Sequence, residues 1–163
     1  EFKFADYVER TLAIAEEFNV NPEQVELEIT ETVLLDDSPR TSRTLKALKA
    51  AGFKIALDDF GTGYSSLSYL RRHQVDKLKI DQSFVSSIGV REDANAVVQA
   101  IIHLGEALGL TVTAEGVETI AQRDTLRSHG CAYLQGYLLS RPLTREKLDL
   151  LMTMIANRKK RSA

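Results

Sequence analysis

Several polar residues stand where short apolar runs break off: Glu28, Asp58 and Asp59, Lys79 and Asp81, and Glu115. The most unusual are Asp58 and Asp59 in KIALDDFGTGYSSL, two like charges side by side at the end of an apolar stretch. Four carboxylates brought to one rim repel strongly, so either some take up protons or cations sit between them. An all-oxygen donor set of Glu28, Asp58, Asp59 and Glu115 suits hard cations, Mg²⁺ or Mn²⁺. Adjacent residues of a regular strand point to opposite faces. Asp58 and Asp59 are therefore expected at a strand end, where the backbone turns and the two can splay around two ions. Two metals about 3.5–4 Å apart are a common device for in-line attack on a phosphodiester. Lys79 then either holds the attacking water or neutralises the transition state. Asp81 has three readings: a cap for the segment after it, a partner for Lys79, or a substrate contact.

The elements that must position these groups alternate. Helical patterns cover residues near 4–18, 40–51, 64–72, 93–108, 119–129 and 144–157. Between them lie strand-like runs: VELEIT (25–30), KIALDD (54–59), VDKLKID (75–81), LTVTAEG (110–116) and CAYLQGY (131–137). Gly52, Gly109 and Gly130 each follow a helix and precede a strand, where a left-handed cap is wanted. Repeated alternation with short connections predicts an α/β fold with a parallel sheet and crossover helices. In such sheets the C-terminal strand ends gather ligands and catalytic groups. Glu28, the two aspartates, Lys79, Glu115 and Gln135 fall at or near those ends. Gln135 is either part of the site or satisfies a backbone group. Gly61 and Gly63 either cradle a phosphate or form a turn that lets the backbone pass close to the acids.

Composition narrows the function classes. With 44% hydrophobic and 27% charged residues the chain is typical of a soluble globular domain. A net charge of −2 gives no field that would draw it to nucleic acid or a membrane. The basic run at 158–161 is read as a solvated tail covering 158–163, after a domain spanning 1–157. The one cysteine, Cys131, excludes an internal disulfide, favours a reducing compartment and reads as a small core residue. His73, His103 and His129 lack metal-ligand spacing and are expected at the surface or at helix ends. No GxSxG, HExxH or phosphate-loop lysine motif is present. No membrane-spanning window or signal peptide opens the chain, which predicts a cytoplasmic location for this segment.

Five blocks, in order, resemble the EAL-domain phosphodiesterases, bacterial enzymes that hydrolyse cyclic di-GMP. They are LEITE (27–31), DDFGTGYSSL (58–67), LKIDQSFV (78–85), TAEGVET (113–119) and LQGYLLSRPL (134–143). The resemblance covers nearly the whole chain. It implies a modified (β/α)₈ TIM-like barrel, here N-terminally truncated to about five strands. The Glu-Ala-Leu motif, and an asparagine after the next strand, would lie upstream of residue 1. If the segment is stable, another chain or a swapped segment is expected to cover the open edge.

The resemblance also implies roles. Glu28 would bind the first metal, Asp58 would bridge both, and Asp59 would bind the second. Glu115 would serve the second metal or assist the attacking water, which Lys79 would hold. Gln135 would contact substrate or order water. Glu31 and Glu118 would support the site from behind, Glu31 by anchoring a loop from Asp59 to Ser66 that contains Gly61 and Gly63. That loop and the adjacent helix would lie near a homodimer interface. The implied activity of the parent domain is Mg²⁺- or Mn²⁺-dependent hydrolysis of cyclic di-GMP to linear pGpG. Upstream sensory or GGDEF-type domains are possible partners, and the parent could be membrane-anchored elsewhere. The alternatives are a non-catalytic cyclic di-GMP receptor and, with less reason to keep the acids, a protein-interaction scaffold.

Overall fold

In the computed structural model the described residues are 6–36, 38–62, 70 and 72–161. Gly63 and most of the helix expected at 64–72 lie outside them. The strands are β1 (Glu26–Thr30), β2 (Lys54–Phe60), β3 (Lys77–Ile80), β4 (Thr111–Ala114) and β5 (Tyr133–Leu134). The helices are α1 (Tyr7–Glu17), α2 (Glu31–Leu35), α3 (Pro39–Ala50), α4 (Gln82–Ser86), α5 (Ala94–Ala107), α6 (Ile120–Ser128) and α7 (Arg145–Arg161). A 3₁₀ turn, Pro22–Gln24, leads into β1.

The strands form one five-stranded sheet in sequence order, and every neighbouring pair is parallel. This is the expected arc of a β/α barrel. Sequential parallel order brings all five C-terminal strand ends to one rim.

One face of the sheet packs on the helices. Ile55, Leu57, Leu78, Ile80 and Val112 meet Leu45 and Leu48 of α3, Val85 of α4, Val98 and Ile102 of α5, and Leu126 of α6. Burying a side chain of this size stabilises by about 1.5–3 kcal/mol. Gly105 of α5 marks the closest helix–sheet approach: a Cβ there would lie 2.3 Å from Val112 Cγ2.

The opposite face carries the polar residues. Along β1, Ile29 is buried while Glu26, Glu28 and Thr30 are exposed. Lys77 of β3 reaches across to Glu26 at 2.7 Å and lies over the Tyr133 ring of β5.

The helix ends follow local chemistry. Ser38 caps α3 by accepting from Thr41 N–H at 3.2 Å. Thr119 and Gln122 form a reciprocal capping box at α6. The helix-to-strand returns at Gly52, Gly109 and Gly130 take φ of 100°, 69° and 85°, as their positions predict.

Two expectations change. The last helix continues past residue 157 to Arg161. His73 is buried rather than at the surface, but it stands at a helix end, as the alternative expectation had it, and lines a small cavity together with Ser42, Leu45 and Lys49 of α3. His103 is exposed and His129 is the C-cap of α6. Cys131 is buried, as expected, with Sγ 3.3 Å from Tyr133 O. Among the described residues no helix is long and apolar enough to cross a membrane.

Candidate active site

The two aspartates do not end their strand. β2 runs on to Phe60, and the adjacent acids are accommodated by a bulge. Leu57 pairs with Leu78 and Phe60 with Ile80, so three steps on β2 oppose two on β3. Asp59 takes the left-handed conformation with φ 54°. An inserted residue of this kind breaks the strict alternation of a strand and re-aims a side chain. It is this break that lets both carboxylates face the same rim. Asp58, Asp59 and Glu115 each place an oxygen within 4.8 Å of the other two.

Lys79 lies at the centre of the group. Its Nζ is 2.6 Å from Glu28 Oε1, 2.9 Å from Asp58 Oδ1 and 2.8 Å from Glu115 Oε1. Only 6% of the Lys79 side chain is exposed, against 49% for Glu28. Thus β3 supplies an ammonium that ties together acids from β1, from β2 and from the residue after β4. The acids are not unpaired, but their charge is not matched. Four carboxylates against one ammonium leave three negative charges at the rim.

The electrostatics assign different capacities to these groups. Burial pulls the Lys79 ammonium down, but its bonds to Glu115, Glu28 and Asp58 outweigh burial and hold it well above the usual lysine range. Lys79 therefore stays a cation at neutral pH: a donor and a charge, not a base. Burial pushes the Glu115 carboxyl up, opposed by Lys79 and reinforced by Asp58 and Glu28. Desolvation and then the charges of Asp58 and Asp81 push Asp59 up as well. Both carboxyls are raised first by burial and further by their acidic neighbours, and a bound cation would oppose the shift by favouring the charged form.

The donor set fits a hard divalent cation. All its ligand atoms are carboxylate oxygens, and the buried Asp58 Oδ1 lies 2.9 Å from Lys79 Nζ with no other partner among the described residues.

The other candidate residues are held by contacts of their own. Glu31, the first residue of α2, is buried, and its Oε1 accepts from Gly61 N–H at 2.8 Å. Asp81 caps α4: its Oδ1 accepts from Ser83 N–H at 2.9 Å and from the Ser83 hydroxyl. Gln135 is exposed just beyond β5, and its N–H donates to Ala114 O at 2.8 Å. Glu118 is exposed, and its N–H donates to Gln122 Oε1 at 2.8 Å.

Two residues near the site do not stand out by residue type. Gln122 orders the segment after Glu115, and the signal for it is the Thr-x-x-Gln pattern at 119–122. Phe84 lies against Gly61, and an apolar residue in a short helix carries no pattern that distinguishes it from core.

Comparison with known proteins agrees with this geometry. The EAL domain family matches residues 2–142. MucR of Pseudomonas aeruginosa, a bifunctional diguanylate cyclase/cyclic di-GMP phosphodiesterase, is 45% identical over 130 residues, covering 80% of this chain and 19% of MucR. The solved PaMucR phosphodiesterase–c-di-GMP complex superposes with a TM-score of 0.86 at 41% identity, over 90% of this chain and 60% of that one. Klebsiella pneumoniae BlrP1, solved with manganese and cyclic di-GMP, has a TM-score of 0.79 at 40% identity, over 86% of this chain and 36% of that one. The chain thus spans about a fifth of the length of the curated relatives it matches. A sequential parallel sheet, acids gathered on its rim and a match over most of its length establish that the chain belongs to the EAL domain family.

Proposed function

We propose that the domain to which this chain belongs hydrolyses cyclic di-GMP to linear pGpG with divalent metal. One observation carries the reading: Asp58, Asp59 and Glu115 converge within 4.8 Å beside the buried Lys79, leaving a surplus of negative charge for cations. Glu28, Asp58, Asp59 and Glu115 would hold Mg²⁺ or Mn²⁺, in a two-metal arrangement with Asp58 shared. When bound, such ions supply Lewis acidity, lowering the pKa of water and stabilising charge on phosphoryl oxygens.

The chain's own residues do the rest. Lys79, held as a cation, draws Glu28, Asp58 and Glu115 into one layer; its three N–H groups are engaged there, so one acid would turn away to a cation before Lys79 donates to the attacking water. Glu115, 2.8 Å from Lys79 at the rim, would take the proton from that water. Water adds to phosphorus as the P–O3′ ester bond breaks, and O3′ takes up a proton from solvent, which leaves the 3′-hydroxyl and the 5′-phosphate of pGpG. Glu31 seats the turn after Asp59. Gln135, exposed just beyond β5, and Asp81, whose charge acts on Asp59, would meet the substrate. Glu118 supports from the loop after β4. Dimerisation through the Asp59–Ser66 loop belongs to the same reading, although residues 63–66 lie outside the described set.

The test is nucleotide hydrolysis with Mg²⁺ or Mn²⁺, on this chain and on the chain extended upstream. Linear pGpG from either, lost in Asp58→Asn together with metal binding, is the expected result. Near-normal rates in Asp58→Asn would overturn the metal assignment. Binding of cyclic di-GMP without turnover by both would move the reading to a receptor. Ca²⁺ is expected to inhibit, since its longer and more flexible coordination fits an in-line site poorly.

A further inference from the structure

Gly61 is held from two sides. On one, its N–H donates to Glu31 Oε1. On the other it presses against an aromatic ring: a Cβ on Gly61 would stand 2.8 Å from Phe84 Cε2 and 3.0 Å from Cζ, with Ile101 Cδ1 of α5 at 3.7 Å. Gly61 also lies inside a closed turn. Thr62 N–H and the Thr62 hydroxyl both donate back to Asp59 O, at 3.3 and 2.9 Å. The Asp59 backbone is thereby fixed in its left-handed conformation by a turn whose third residue is wedged between a carboxylate and a ring.

We propose that Phe84 is a positioning residue for Asp59: its ring is the wall that seats the Asp59–Thr62 turn. The metal consequence rests on the reading of Asp59 as a ligand; the seating of the turn does not. Phe84 suits the task because its ring is large, flat and governed by two torsions. Its own helix is fixed, since Asp81 caps α4 and Phe84 N–H donates to Asp81 O at 3.1 Å. Asp81 therefore acts on Asp59 twice, directly by its charge and indirectly through α4 and Phe84. The ring also borders an open cavity of about 240 Å³, lined by Ser83, Ser87, Arg91 and Val97 among others. Without the ring that cavity would open toward the turn, and the nearest group left on that side would be Ile101 Cδ1, at 3.7 Å from where a Cβ would stand.

The test compares Phe84→Ala and Phe84→Leu with Val97→Ala, which alters the same cavity away from Gly61. Two readouts are taken on the whole chain. Amide hydrogen exchange follows Gly61 and its neighbours, and the electron paramagnetic resonance signal of free Mn²⁺ reports metal affinity. Phe84→Ala is expected to speed exchange at Gly61 about tenfold or more while the Leu78 and Val112 amides keep their protection. It is also expected to weaken Mn²⁺ binding by about tenfold, the scale typical of residues that orient a ligand. Phe84→Leu should recover part of both effects, and Val97→Ala should cause neither. Unchanged exchange at Gly61 in Phe84→Ala overturns the proposal; if that variant does not fold, unchanged exchange in Phe84→Leu does so. A wild-type chain that binds no Mn²⁺ overturns the metal reading of Asp59, and the exchange arm still decides for or against Phe84.

Discussion

Lys79 is held by three acids and surrounded by more negative charge than it can neutralise. Replacing it with methionine keeps the bulk and removes the charge. In EDTA, Lys79→Met is expected to destabilise the chain by about 3 kcal/mol, the low end for breaking a buried ion pair because Glu28 is half exposed. Added Mn²⁺ should raise the melting temperature of the variant more than that of the wild type, since the cation replaces the lost counter-charge, while turnover stays abolished. Thermal unfolding with and without Mn²⁺ checks the sign, and equal shifts in both proteins would count against a shared site. Cys131 gives a second prediction. Burial pushes its thiol above the ordinary value of 9.0, with backbone hydrogen bonds pulling weakly the other way. The native state therefore keeps its proton after the unfolded chain has begun to lose it. By linkage this contribution is intact below about pH 9 and declines as pH rises beyond it. Melting temperatures from pH 8 to 10 should fall more steeply in the wild type than in Cys131→Ala, and the native thiol should react slowly with a disulfide reagent at pH 8. At this scale the residue types carried most of the site. Hidden from them were the geometry of Asp59, which depends on a bulge that a period-two pattern does not encode, and the burial of His73, which depends on tertiary neighbours that a linear pattern does not show.

Among the elements, the long helices were legible because their apolar spacing repeats over three turns or more. α2 and α4, five residues each, are too short to show a period. They nonetheless deliver Glu31 and Phe84 to opposite sides of Gly61. β5 covers two residues where a strand-like run of seven suggested more; beyond it the chain still bonds to the segment after β4, Val117 N–H donating to Gln135 O and Leu138 N–H to Val117 O, each at 3.0 Å. The capping box of α6 shows what an element end contributes to the site. Gln122 is buried, and its Oε1 accepts from both Glu118 and Thr119 N–H, at 2.8 and 2.9 Å. Gln122→Ala would leave two part-buried donors without a partner, at a cost of about 1–3 kcal/mol. Thr119→Ala removes one cap bond at 3.2 Å and should cost about 1 kcal/mol. Chemical denaturation of both variants checks the order. Equal losses would mean that the box acts only as a cap and does not also fasten the segment between Glu115 and α6.

For the whole molecule, the site is a consequence of topology. Five parallel strands in sequence order place every strand exit on one side, so Glu28, the aspartates, Lys79 and Glu115 meet without any long-range coincidence. Alternating elements announced that much. What the alternation did not announce is where apolar surface would be left outside the core. α7 carries Leu148, Leu150, Met152, Met154 and Ile155, all between 44% and 67% exposed. Leu150 and Met154 are four residues apart and so lie along one stripe of the helix. Exposed stripes of this kind favour association with any apolar surface. The chain is therefore expected to self-associate with rising concentration, as seen by light scattering. Leu150→Lys/Met154→Lys should shift that onset to higher concentration with little change in melting temperature, since neither side chain is part of the buried core. A double variant that melts well below the wild type would show that the stripe supports the fold; an unchanged onset would direct attention to the outer edges of β1 and β5, which no described strand pairs, as the surfaces that associate.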